Sequence, residues 1–111
     1  MHSDPRTTAA RLNALLDALS RQAALGEDSR KTVMLDQQSV GRLSRMDAMQ
    51  QQQMARATAA RRDAEARRIR AALARLADGD YGYCTDCGEK IDPARLERDP
   101  AVPKCLDCMR G

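Results

Sequence analysis

The chain has 111 residues and a net charge of +3, and it contains no Phe, no Trp and only two tyrosines, Tyr81 and Tyr83. Large apolar side chains supply most of the drive to burial, so this inventory excludes a sizeable globular core. No apolar run approaches the roughly 20 residues that cross a bilayer, and Met1-His2-Ser3-Asp4-Pro5 lacks the basic start and apolar stretch of a secretion signal.

A cytoplasmic protein without a membrane partner is therefore expected. Charged residues make up 32% and Ala, Arg and Gln are abundant, which suits long solvated helices; the periodic leucines argue against disorder. The expected fold is mainly α, an antiparallel helical hairpin over residues 1–78 followed by a small four-cysteine zinc finger over 79–111.

Asp4-Pro5 is a helix start, with Asp as N-cap and Pro at the first helical position. Leu12, Leu15, Leu16, Leu19 and Ala23 recur at helical spacing, which predicts a helix over 5–25 that Gly26 ends. The polar stretch Gly26-Glu27-Asp28-Ser29-Arg30-Lys31 opens a loop over 26–36, with a short apolar patch, Thr32-Val33-Met34-Leu35, inside it. A second helix is expected over 37–77, where proline is absent and Gly41 is the only glycine. At 1.5 Å per residue it would be roughly 60 Å long. Its apolar positions are Val40, Leu43, Met46 and Met49 at one end and Ile69, Leu73 and Leu76 at the other, with alanines between. The first helix, about half as long, should fold back on the distal half and leave the arginine-rich half more exposed. Dimerisation through the same stripes is the alternative to a monomer. Asp78-Gly79-Asp80 stops the long helix, with Gly79 as a left-handed cap.

The four cysteines form two C-x2-C pairs, Cys84/Cys87 and Cys105/Cys108, separated by seventeen residues. In a reducing compartment such pairs bind metal more often than they form disulfides. Tetrahedral zinc takes four thiolates, and each pair supplies two from one tight turn. Gly88 suits such a turn because it can adopt positive φ. Between the pairs, Asp92-Pro93 begins a short helix through about Arg98. A segment with so few apolar residues needs metal to fold. His2, the one histidine, is expected to be inert. No nucleophile–base constellation or phosphate-cradling glycine loop stands out, so an enzyme is not expected.

Charge is unevenly spread. Seven arginines lie between Arg56 and Arg75 against Asp63 and Glu65, whereas acids outnumber bases from Cys84 to Cys108. An acidic finger is unsuited to phosphate backbones. It reads instead as a protein-binding or bracing module.

The pattern Cys84-x2-Cys87-x3-Ile91-x3-Arg95-x4-Pro100-x4-Cys105-x2-Cys108, preceded by "GDYGYC" and a long helix, resembles the finger signature of the DksA/TraR family of bacterial RNA polymerase-binding transcription regulators. The resemblance spans roughly residues 37–111, with Thr85 standing where the family usually has an acidic residue or Ser. It implies one structural zinc ion, RNA polymerase as partner, and a hairpin inserted into the polymerase secondary channel to modulate initiation without sequence-specific DNA binding. The family's tip motif, D-x2-D-x-A, falls near Gly41–Ala48, which points to Asp47 and Ala48, with Asp36, Arg42 and Arg45 as secondary candidates. Of the basic residues that hold guanosine tetraphosphate in the family, Arg68 has a counterpart on the helix. Asp99 and Met109 occupy the finger positions, which implies weak or absent alarmone binding. Two other readings share the fold: a nucleic-acid binder using a basic face that includes Arg61, Arg62 and Arg68, and a zinc-braced coiled-coil adaptor for another protein.

Overall fold

The computed structural model describes residues 4–40 and 45–110, with side chains described at 4–26 and 45–110. Four helices follow in chain order: α1 (Pro5–Val40), α2 (Arg45–Asp78), α3 (Pro93–Arg98) and α4 (Leu106–Arg110). The long helices form an antiparallel hairpin, with the start of α1 beside the end of α2: Pro5, Thr7, Thr8 and Arg11 border the same groove as Leu76 and Gly79.

α1 begins as its sequence dictates. The Asp4 carboxylate accepts from the N–H of Arg6 (3.1 Å), and the Asp4 carbonyl from the N–H of Thr8 (3.0 Å), which satisfies amide groups that the first turn leaves orphaned. The helix does not stop at Gly26. The expected loop over 26–36 is helical, and the separate helix start at 37 does not exist, because α1 runs unbroken to Val40. One internal glycine costs a helix only about 1 kcal/mol, and tertiary packing overrides so small a preference. Gly26 has a packing role instead: a Cβ there would come within 3.1 Å of Arg62 Nη2, so the bare backbone makes room for that guanidinium. The sequence between Val40 and Arg45, including Gly41 and Arg42, lies outside the described residues.

α2 ends where expected. Gly79 takes φ 81°, and the N–H groups of Gly79 and Asp80 return to the carbonyls of Leu76 (3.3 Å) and Arg75 (2.8 Å), a left-handed termination that needs a residue without Cβ.

The chain divides into two compact units, Met1–Asp17 with Glu65–Gly111, and Ala18–Ala64. The sequence division at residue 78 does not follow this boundary, since the finger shares a unit with the ends of both long helices. In that unit Thr8 and Leu12 of α1 and Ile69 and Ala72 of α2 are buried. The arginine-rich half of α2 is therefore partly covered, contrary to expectation, because α1 begins beside it. In the second unit, Ala48, Ala55, Thr58, Ala59 and Arg62 of α2 are half-buried and bigger side chains turn outward. Met46 and Met49 are 73% and 59% exposed, so they do not form the apolar stripe expected of them; Leu15 of the first unit is likewise exposed.

Candidate metal centre and its junction with the helices

The first cysteine pair sits on a miniature hairpin. Tyr83 and Lys90 make an antiparallel bridge. The N–H of Cys84 donates to the carbonyl of Glu89 (2.8 Å), and that of Ile91 to Gly82 (2.8 Å). The turn closes through Gly88, whose φ is 76° and whose N–H returns to the Cys84 carbonyl (3.0 Å). The second pair uses a helix: Cys105 immediately precedes α4 and Cys108 lies within it, with the N–H of Met109 bonded to the Cys105 carbonyl (3.0 Å). Two links join the pairs, the N–H of Thr85 to the Pro103 carbonyl (2.9 Å) and Lys104 Nζ to Asp86 Oδ2 (3.1 Å).

This framework brings all four Sγ atoms within 4.8 Å of one another. Cys87 Sγ and Cys105 Sγ are 3.7 Å apart. A tetrahedron with ~2.3 Å metal–sulfur bonds has edges of about 3.8 Å, whereas a disulfide would need about 2.05 Å. The electrostatics of the sulfurs fit the same ligand. The N–H of Cys87 points at Cys84 Sγ (3.5 Å) and pulls that thiol down to about 6, against burial and with help from the N–H groups of Cys105 and Asp86. Cys87 and Cys108 resist ionising. The Glu89 N–H lowers Cys87, but its contacts with Cys84 and Cys105 and its burial carry it above the ordinary thiol value. Cys105, then Cys84, push Cys108 up strongly. One thiolate is favoured and its crowded neighbours are penalised, a conflict that a divalent cation among them removes.

A small core backs the sulfurs. Cys84, Ile91 and Val102 are buried, with Leu96, Cys105 and Cys108 packed against them. α3 forms as expected, with the Asp92 carboxylate accepting from the N–H of Ala94 (3.1 Å) and Pro93 opening the helix. Its C-terminal end meets the long helices. Arg11 donates to the Glu97 carbonyl, and Tyr81 Oη donates to the Pro100 carbonyl (2.8 Å). Burial raises the Tyr81 phenol, partly offset by Arg11 and Arg75.

The other residues singled out from sequence are scattered. Asp36 lies on α1, its side chain outside the described set, as is Arg42 altogether. Arg45 and Asp47 are exposed in the first turn of α2, and Ala48 is half-buried. The three arginines of the proposed basic face have different surroundings. Arg61 is exposed and bonds Thr58 Oγ1 (3.3 Å). Arg62 turns inward beside Gly26 with Nε buried and no described partner. Arg68 is ion-paired to both Glu65 and Asp99 (each 2.8 Å). The Arg68–Asp99 pair was missed from sequence, since no local spacing relates residues so far apart. α4 also went unforeseen, although Asp107 in its first turn is a helix-start signal.

Two long antiparallel helices and a compact four-sulfur finger in one chain define the class of a helical zinc-finger protein. The model of the prokaryotic DksA/TraR C4-type zinc finger matches residues 79–110. Among curated proteins, the RNA polymerase-binding transcription factor DksA of Haemophilus influenzae is 45% identical over 42 residues, 38% of this chain and 29% of that protein. Its Escherichia coli counterpart is 40% identical over 42 residues, 38% of this chain and 28% of that protein. The chain thus covers under a third of the length of these relatives. The solved structure of transcription factor DksA2 from Pseudomonas aeruginosa superposes with a TM-score of 0.54 at 27% identity, over 91% of this chain and 81% of that one. Residues 79–110 thus match the DksA/TraR C4 zinc-finger family model, and the four clustered cysteines there hold a structural zinc ion.

Proposed function

We propose that this protein is a DksA-like, non-enzymatic transcription regulator of the cytoplasm. It binds RNA polymerase and inserts its helical hairpin into the secondary channel to modulate initiation. The observation that carries this reading is the joining of a long antiparallel hairpin to a C4 finger in one chain, an arrangement that superposes on transcription factor DksA2, while 42 residues are similar to proteins named for RNA polymerase binding. Cys84, Cys87, Cys105 and Cys108 are the zinc ligands. Their role is structural: four sulfurs leave no open position for substrate. The working tip is assigned to Asp47 and Ala48, with Asp36, Arg42 and Arg45 around it. No described helix is long and apolar enough to cross a membrane, which supports a soluble site of action. Guanosine tetraphosphate binds weakly or not at all at the helix–finger junction, where Asp99 replaces a base. The nucleic-acid alternative loses support because Arg62 is half-buried beside Gly26 and Arg68 is ion-paired to Glu65 and Asp99.

Co-purification with core RNA polymerase tests the proposal. Wild type should be retained at low-micromolar concentration, and Cys84→Ser should not. Asp47→Ala should bind but lose the effect on transcription. Absence of wild-type binding overturns the reading, and an Asp47→Ala protein of full activity removes Asp47 from the tip.

A further inference from the structure

We propose that Asp99 is a tethered anion that latches the finger to α2, filling the guanidinium fork of Arg68 so that the junction closes without a ligand from outside. Arg68 offers five N–H groups. Two reach Glu65, from Nε to Oε2 (2.9 Å) and from Nη2 to Oε1 (2.8 Å). Two reach Asp99, from Nη1 to Oδ2 (2.8 Å) and from Nη2 to Oδ1 (3.0 Å). Four of the five donors are spent, and no paired set remains for a phosphate or carboxylate from solution.

The two carboxylates differ in what they do. Glu65 stands one turn before Arg68 on the same helix, and a pair of that kind contributes little to stability. It does aim the guanidinium plane. Asp99 comes from the end of α3, and its Oδ1 also accepts from the N–H of Ala101 (3.3 Å), which fixes the carboxylate against its own backbone. Hydrogen bonds to Glu65, then to Asp99, hold the Arg68 guanidinium even further above neutrality than usual. Burial tends to raise the Asp99 carboxyl, but the bonds and charge of Arg68 outweigh it and keep it low. Both groups stay charged.

Asp99 begins a strap in which consecutive residues are tied down. The Pro100 carbonyl receives Tyr81 Oη. Ala101 and Val102 are 1% and 3% exposed. The N–H of Val102 returns to the Asp99 carbonyl (3.1 Å), and the Pro103 carbonyl receives the N–H of Thr85. The strap leads from the Arg68 fork straight to Cys105. Two carboxylates around one guanidinium neutralise the charge that Arg68 could offer a further anion. The finger is thus held in its docked orientation by the chain's own charge.

Hydrogen exchange on the zinc-loaded, full-length chain tests this without reference to polymerase. In Asp99→Ala the backbone amides of Asp99-position and Val102, both bonded to carbonyls in wild type, should exchange about three- to tenfold faster. Sulfate, compared with chloride at equal ionic strength, should restore protection in Asp99→Ala by entering the vacated fork. It should leave wild type unchanged and fail in the Arg68→Ala/Asp99→Ala double variant. Asp99→Asn, which keeps the side-chain volume, should speed exchange without sulfate rescue. The latch is overturned if Asp99→Ala exchanges like wild type, if sulfate does not rescue it, or if sulfate acts equally on the double variant, on wild type or on Asp99→Asn.

Discussion

The unit containing the finger and the segment Ala18–Ala64 are stabilised in different ways. Every buried residue among the described ones belongs to the former: Thr8, Leu12, Ile69, Ala72, Cys84, Ile91, Pro100, Ala101 and Val102. There, directional contacts specify single positions, such as the Tyr81 hydroxyl on the Pro100 carbonyl and Arg68 on Asp99. The segment Ala18–Ala64 instead repeats small half-buried residues and leaves Leu25, Met46, Met49 and Met54 largely exposed. One part is fixed by specific contacts and the other by repeated small residues. Regions with little buried apolar surface open most easily, so changes should hurt in proportion to their place in this division.

The largest effect should come from the metal. Chelation, or Cys84→Ser, should unfold the finger, because zinc binding supplies on the order of 10 kcal/mol or more to segments of this size. Dispersed amide resonances from residues 79–110 should collapse while most far-ultraviolet helical signal persists. Acid should act in the same direction, since protons compete with the metal for the sulfurs. Next comes Ile69→Ala, which empties a site only 1% exposed and should cost about 2–4 kcal/mol in chemical denaturation. Tyr81→Phe removes the bond to Pro100 and should cost about 1 kcal/mol. The double change Met46→Gln/Met49→Gln should shift stability by less than about 0.5 kcal/mol. A large loss from the methionines, or none from Ile69, would erase the contrast between the two parts.

The same contrast governed what could be read in advance. The metal site was legible because C-x2-C spacing states its own geometry, and Gly79 and Asp92-Pro93 announced a helix end and a helix start through backbone chemistry alone. The arm was harder. Gly26 reads as a terminator when its neighbours are polar, and only its contact with Arg62 explains a glycine inside a continuous helix. Hydrophobicity correctly marked Leu12 and Ile69 as buried, but it also marked Met46 and Met49, whereas the half-buried positions of that part of α2 are Ala48, Ala55, Thr58, Ala59 and Arg62. The Arg68–Asp99 pair joins residues that no local periodicity connects, so only folding could reveal it.

X-ray absorption at the zinc edge of the purified chain examines the sulfur cage itself. One zinc per chain with four sulfur neighbours at about 2.3 Å is the expected result. A shell containing nitrogen or oxygen, or metal-free protein with an equally ordered finger, would contradict the four-thiolate brace.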